Sequence, residues 1–258
     1  MEKSICTYGL IPVRADASER AEMVTQLLFG ETYDILEKEG NWTRIRMHYD
    51  AYEGWIDSKL VLGLSNTEVE NWQKADKWVV PSPFIKLVSE PDKTAHIISG
   101  GSSIFFNGSD RNSFSIGNKE YYLSGGYKGE SPQASIADNA NAFINAPYLW
   151  GGRSFYGIDC SGFTQVVYKM SGYDLPRDAS QQVELGASIS FVEEAALGDL
   201  AFFDDAEGRI VHVGLCLGKG DIIHASGRVR IDKLDHQGIF DDEKRTYSHK
   251  LRVIKRIV

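Results

Sequence analysis

The 258-residue chain is short of cysteine, holds no CxxC pair, has no long apolar run and carries no excess of basic charge. Its three cysteines, Cys6, Cys160 and Cys216, are odd in number and far apart. They do not make a disulfide scaffold or a structural zinc site, and free thiols fit a reducing compartment. The first ten residues lack an apolar h-region, and nothing later reaches the length of a membrane span. The expectation is therefore a soluble, cytoplasmic protein without a membrane span, with an exported or lipoprotein form left open if a leader precedes this sequence. Thirty-six acidic residues against 28 basic ones give a net charge of −8. That balance argues against nucleic acid and anionic membrane as main partners, since both require a basic footprint. Hydrophobic residues at 42% and charged residues at 25% lie near globular averages, so the chain buries a core. The length allows one large domain or two to three small ones, and a monomer is expected.

The texture changes along the chain. From Ile5 to Leu64 short β-rich stretches (Tyr33–Glu37, Trp42–Met47, Gly54–Ile56) alternate with turns, which indicates a small barrel or sandwich. Ser18 to Phe29 is the exception. Ala21, Val24, Leu27 and Leu28 have helical spacing and predict a short helix within a loop. Residues 65–127 open with a helical turn and return to β-type text at Trp78–Val80, Phe84–Val88, Ser103–Phe106 and Lys119–Leu123, a second small β unit that matches the first in architecture rather than residue by residue. Beyond Gly125 the chain predicts a helix over Ala134–Ile144. A second helix is predicted over Cys160–Met170, where Phe163, Val166, Val167 and Met170 form one apolar face and Gly172 follows as a cap. Strands come next, at Asp199–Phe203, Val211–Leu217, Asp221–Ala225 and Leu251–Ile254. Helices followed by consecutive strands mean α+β with an antiparallel sheet.

Cys160 opens a predicted helix, where unpaired N–H groups and the positive end of the dipole favour a thiolate. A small packing residue is the bland alternative, but Asp159, Ser161 and Gly162 are poor core material. A nucleophilic thiol needs a base, and the base needs an orienting group. His212 and His224 lie in successive strands joined around Gly218-Lys219-Gly220. A three-residue loop pairs Leu217 with Asp221 and His212 with Ser226, which sets His224 diagonal to His212 on one face, about 7 Å away or somewhat less. A two-residue loop would put them on opposite faces. Zinc held by Cys160, His212 and His224 is the metal alternative, ranked lower because no two of the three have short spacing. His48, His96, His236 and His249 read as surface residues, and Cys216 as core.

Pro147-Tyr148-Leu149-Trp150-Gly151-Gly152, Asp159-Cys160-Ser161-Gly162-Phe163, Leu175-Pro176-Arg177-Asp178-Ala179-Ser180-Gln181-Gln182, Gly198-Asp199-Leu200, His212-Val213-Gly214 and His224-Ala225-Ser226 together resemble the NlpC/P60 cysteine peptidases in order and spacing, over residues 132–258. Asn41–Ile45 with Tyr52–Ile56 resembles a bacterial SH3 (SH3b) core. The layout is similar to the γ-D-glutamyl-L-diamino acid endopeptidases (dipeptidyl-peptidase VI) of that family. The resemblance implies two SH3b-like barrels (1–64 and 65–127) followed by an α+β papain-like NlpC/P60 domain with an antiparallel sheet (128–258). It implies Cys160 as nucleophile, His212 as general base and acid and His224 as its orienter, with no metal or other cofactor. The substrate it implies is a murein tripeptide or tetrapeptide with a free N-terminal L-alanine, cut between γ-D-glutamate and meso-diaminopimelate or L-lysine to release L-Ala-γ-D-Glu during cell-wall recycling. Asp178 is implied as the carboxylate for the substrate ammonium, Tyr148, Asp159 and Ser161 as pocket lining, and Tyr52 as the closing residue. Each has a plainer role open to it: Tyr52 as a surface aromatic, and Asp178 and Asp159 as helix caps. Ala179 stands where some relatives have serine, Glu19 and Glu22 both compete for an acidic contact, and Arg177 has either a substrate carboxylate or a structural salt bridge. A papain-like amidase or acyltransferase and a non-catalytic murein-binding protein are the rival functions.

Overall fold

The computed structural model describes residues 2–106, 108–127 and 136–258. The chain divides into two compact units, one of Met1–Gln133 with Trp150–Phe155, the other of Ala134–Leu149 with Tyr156–Val258. The first part of the expected helix over Ala134–Ile144 lies outside the described residues; of the rest, Ile136–Asn141 forms α2 and residues 142–144 are turn. Among the described residues no helix is long and apolar enough to cross a membrane.

The first unit begins with a six-stranded antiparallel sheet, ordered β1-β4-β5-β6-β2-β3, from β1 (Glu2–Ile5), β2 (Leu10–Arg14), β3 (Met23–Leu28), β4 (Thr32–Glu39), β5 (Trp42–Met47) and β6 (Glu53–Asp57). Ile11, Val13, Leu27, Tyr33, Ile45 and Ile56 form its core. The helix expected over Ser18–Phe29 is instead strand β3, paired with β2 through Leu10↔Leu28 to Val13↔Thr25. Thr25 to Leu28 are all buried, and a strand covered on both faces loses the period-2 signature that would have marked it. The helical turn expected after Ser65 is a full helix, α1 (Asn66–Lys74), whose N-cap Ser65 and Glu68 form a reciprocal capping box. A four-stranded sheet, β11-β12-β8-β9, and a pair, β10-β7, follow. Their strands are β7 (Asp76–Val79), β8 (Phe84–Glu90), β9 (Thr94–Ser99), β10 (Ser103–Phe106), β11 (Ser113–Ile116) and β12 (Lys119–Leu123). Trp72, Phe105, Phe106, Phe114 and Tyr121 dominate this second core.

Residues 150–155 return to the first unit through a buried ion pair. The Arg153 guanidinium, in β13 (Arg153–Ser154), donates from Nη1 and Nη2 to the Glu31 carboxylate at 2.9 Å each, and from Nη1 to the Gln26 carbonyl at 2.6 Å. Gly151 leads into this segment with φ +76, and a Cβ there would stand 2.2 Å from the Met23 carbonyl oxygen. Only glycine lets the two backbones approach so closely.

In the second unit β14 (Gly157–Ile158) leads into α3 (Cys160–Met170), and α4 (Ala179–Gln182) follows. Gly172, just past the end of α3, has φ +87, as its capping role requires. The sheet runs β15-β21-β16-β17-β18-β19-β20, and β20 pairs again with β21. The expected antiparallel sheet therefore closes: β16 (Leu200–Asp204), β17 (Ile210–Gly218), β18 (Asp221–Ser226), β19 (Arg228–Leu234), β20 (Gly238–Asp241) and β21 (Thr246–Arg256) make a barrel, with β15 (Ala187–Ile189) on its flank. Phe203, Cys216, Ile222, Leu234, Ile239 and Ile254, one side chain from each strand, share a core cluster. α3 packs against β17 and β18.

Glu31→Ala leaves the Arg153 charge buried without its carboxylate, and breaking such a pair costs about 3–5 kcal/mol. Urea unfolding followed by tryptophan fluorescence is expected to show that loss, and a midpoint equal to the wild type would contradict it.

Candidate active site

The hairpin of β17 and β18 decides whether the two motif histidines can meet. Its turn has two residues, Lys219 and Gly220, with φ of +55 and +76, and Gly218 pairs with Asp221. The expected three-residue loop is therefore incorrect. A bulge between Cys216 and Gly218 adds one residue to β17, and beyond it Cys216↔Ile222 and Leu215↔Ile223 restore the parity that places His224 opposite Gly214, two residues from His212. The face was right and the loop was not, because Leu217 makes up the missing residue.

The histidines share more than a face. Nε2 of His212 lies 2.8 Å from Nδ1 of His224, and Nε2 of His224 lies 2.9 Å from Oδ2 of Asp232. Arg230, two residues before Asp232 and directly opposite His224, donates to the other Asp232 oxygen at 2.7 Å. Burial raises the Asp232 carboxyl, but the hydrogen bonds from His224 and Arg230 outweigh it and hold the group below the usual range. An ionised carboxylate only accepts, so His224 carries its proton on Nε2 and accepts on Nδ1. His212 is thereby fixed as the Nε2–H tautomer, with the Nδ1 lone pair free to act as base. Asp232 and Arg230 were not picked out from the sequence. Their signal is the alternation Arg228-Val-Arg-Ile-Asp232, readable as a site only once His224 is known to face Arg230.

Cys160 stands at the first position of α3, after the N-cap Asp159, whose side chain accepts from the Gly162 N–H at 2.7 Å. The Leu175–Gln182 motif holds this turn. Arg177 Nη1 donates to Asp159 at 3.1 Å and to Ser161 Oγ at 2.8 Å, and Gln182 Nε2 donates to the Ser161 carbonyl at 3.1 Å. Asp159 is thus both helix cap and ion-pair partner, and Arg177, only 2% exposed, is the structural salt bridge. Tyr148 lies near the thiol, since Cys160 and Asp159 join burial in raising its hydroxyl to about 12. Half-buried Asp178 is the N-cap of α4, and its backbone N–H donates to Gln181 Oε1 at 3.2 Å. Tyr52 belongs to the first unit, packed against the core of its first sheet just before β6. Glu22 accepts from the Trp150 indole, and Glu19 pairs with Arg14 at 3.7 Å.

The electrostatics reverse one expectation. Burial pushes the Cys160 thiol up to about 12 and Asp159 adds to this, against the Val213 and Ser161 N–H groups and Arg177. Burial, His249 and His224 take His212 well below an ordinary histidine. Burial outweighs the N–H groups that meet the sulfur, and both shifts favour the neutral forms, thiol and imidazole. The Val213 N–H at the sulfur also places Cys160 beside the residue that follows His212.

His249 is not a surface residue. Its ring stacks on His212 with centroids 4.0 Å apart and planes at 19°. Among the described residues, His212, His224 and His249 form the one cluster with the reach to hold a metal, and Cys160 is not in it. The cluster does not fit zinc. Imidazole lone pairs lie in the ring plane, so stacked rings cannot aim at one ion. The 2.8 Å His212–His224 separation is also shorter than the roughly 3.3 Å between two ligands of a tetrahedral zinc.

Comparison with known proteins agrees with this geometry. Residues 145–246 match the model of the NlpC/P60 family, and residues 13–60 match that of the bacterial dipeptidyl-peptidase Sh3 domain. The chain is similar to a gamma-D-glutamyl-L-lysine dipeptidyl-peptidase of Bacillus cereus, 28% identical over 255 residues, covering 86% of this chain and 73% of that protein. It is also similar to one of the same name from Bacillus subtilis, 44% identical over 85 residues, 32% of this chain and 28% of that protein. An NlpC/P60 family protein from Bacillus cereus superposes with a TM-score of 0.82 over 99% of both chains at 21% identity, which shows a shared fold.

Two outcomes are expected. Iodoacetamide alkylation of Cys160 accelerates about tenfold per pH unit from pH 7 to pH 10, because the thiolate fraction grows throughout that range; a rate already flat below pH 7 would mean a preformed ion pair. Asp232→Ala lowers kcat on the order of 10²-fold with little change in KM, because His224 loses the group that fixes its tautomer; steady-state kinetics equal to the wild type would remove Asp232 from the site.

Proposed function

We propose that the chain, which carries an NlpC/P60 domain and a bacterial SH3 domain, is a cysteine peptidase that cleaves the γ-D-glutamyl bond to the diamino acid of murein peptides that begin with a free L-alanine. The observation that carries this reading is the ordered row from the Cys160 helix start through His212 and His224 to Asp232. His212 Nδ1 takes the thiol proton as sulfur attacks the γ-amide carbonyl, and N–H groups at the start of α3 stabilise the oxyanion. The same proton then goes to the leaving amine. Water, deprotonated by His212, releases L-Ala-γ-D-Glu from the thioester and restores the thiol.

Recognition of the amine falls to Asp178, with Tyr148 beside the thiol. Asp159 and Ser161 serve this site indirectly, because both are committed to Arg177. We read the first unit as two SH3b-like halves, 1–64 and 65–127, with two separate core clusters, the second of which also takes in Ile5 and Phe29 of the first half; the first half holds the residues that match the Sh3 model. A requirement for free L-alanine sets the reaction after an amidase step, which suits recycling of wall peptides in the cytoplasm.

Mass spectrometry of digests of L-Ala-γ-D-Glu-meso-diaminopimelate and of its L-lysine counterpart tests the reading. Release of L-Ala-γ-D-Glu by wild type, and none by Cys160→Ala, is the expected result; an intact tripeptide after prolonged digestion would overturn it. Acetylation of the alanine nitrogen is expected to abolish cleavage and Asp178→Asn to raise KM, whereas undiminished cleavage of the acetylated peptide would refute the amine site.

A further inference from the structure

The general base of this site is enclosed by more rings than its relay requires. Nε2 of His212 is spoken for by His224, whose ring stands at 83° to it with centroids 5.1 Å apart. Phe203 of β16, directly opposite His212 in the sheet, tilts against it at 5.7 Å. His249 of β21 stacks nearly parallel on it at 4.0 Å and presents an edge-to-face contact to both His224 and Phe203, at 5.8 Å in each case. His249 is placed there by closure of the barrel. β21 pairs with β16 on one side and with β20 on the other, where His249 faces Ile239. It also lies beyond residues 145–246, the stretch that the family model matches.

We propose that His249 is a positioning residue for the peptidase reaction, its ring face setting the plane of the His212 imidazole and screening that imidazole from water. The inference rests on the reading of His212 as general base. A base on a strand has two torsions to fix. The His224 bond fixes the direction of Nε2 but leaves the ring free to rock about the line between the two nitrogens. A parallel ring at 4.0 Å removes that freedom, and a near-attack geometry lost by about 1 Å costs about 10²-fold in rate. Nδ1 of His249 is occupied by Ser248 Oγ at 2.9 Å, so the face rather than this nitrogen is what His212 meets.

The charge pattern fits a neutral plate. The titratable groups that face His249 are His212 of β17, His224 of β18 and Asp232 of β19, while Phe203 of β16 and Ile239 of β20 carry no charge. Burial and the neighbouring His224 take His249 down to about 4, against the pull of Asp232. His249 therefore remains uncharged while His212 accepts the thiol proton, so the imidazolium forms against a neutral ring rather than a second cation.

His249→Ala and His249→Phe separate this role from simple packing. The alanine variant is expected to lower kcat about 10- to 100-fold with KM nearly unchanged. It also admits water to His212, which relieves the burial that depresses its pKa and moves the acid limb of kcat/KM upward toward 6.5. The phenylalanine variant restores a ring face, and is expected to recover most of kcat and return the acid limb toward its wild-type position. An alanine variant with wild-type kcat and acid limb would overturn the proposal. So would a phenylalanine variant as impaired as alanine while its thermal midpoint matches the wild type, since that would assign the role to a ring nitrogen. If wild type cleaves no γ-D-glutamyl peptide, the function is wrong; if it does and neither variant shifts the acid limb, only the role of His249 is wrong. Should the alanine variant fail to fold, the titration of the His212 ring in the phenylalanine variant, followed by NMR, decides: a pKa held below 6.5 supports the plate, and one at 6.5 refutes it.

Discussion

Side chains alternate across a strand, so two histidines on neighbouring strands face each other only if the turn between them preserves parity. In the β17–β18 hairpin the two-residue turn at Lys219-Gly220 would by itself separate His212 from His224, and the bulge at Leu217 brings them back together. Everything else in the site depends on that one extra residue. With parity kept, His224 bridges His212 to Asp232, the Asp232 carboxylate sets the tautomer of His224, and that tautomer leaves Nδ1 of His212 as the lone pair that the proposed mechanism offers to Cys160.

A second constraint is burial. Cys160 and His212 are 7% and 5% exposed, and removal from water favours the neutral form of each. Burial therefore favours the thiol form of Cys160, and in the proposed reaction proton transfer accompanies the attack. The turn that carries Cys160 is held by side chains from a distant stretch: Arg177 on Asp159 and Ser161, and Gln182 on the Ser161 carbonyl. The Leu-Pro-Arg-Asp-Ala-Ser-Gln-Gln segment thus braces the turn that carries Cys160 and also holds the amine-binding candidate Asp178.

Much of this was legible in the residues. Phe163, Val166, Val167 and Met170 define one helical face, and α3 starts at Cys160 as that spacing requires. β16, β17, β18 and β21 cover the strands expected from the sequence, whereas β15, β19 and β20 were not foreseen. The failures have a shared cause. Thr25 to Leu28 are buried on both faces, so their pattern looked helical. The Leu217 bulge is a matter of three-dimensional twist with no composition of its own. Asp232 and His249 become site residues only when β19 pairs with β18 and β21 closes the barrel, contacts over long sequence distances that no local period reports. The burial that raises the Cys160 thiol depends on the packing of α3 against β17, which local sequence does not report.

The tautomeric state of the two histidines tests the account most directly. Nitrogen-15 NMR of the ring nitrogens at neutral pH is predicted to show both His212 and His224 protonated on Nε2, with the Nδ1 of His212 as an unprotonated acceptor. A proton on Nδ1 of His212 would leave Cys160 without a base and would contradict the proposed chain from Asp232 to the thiol.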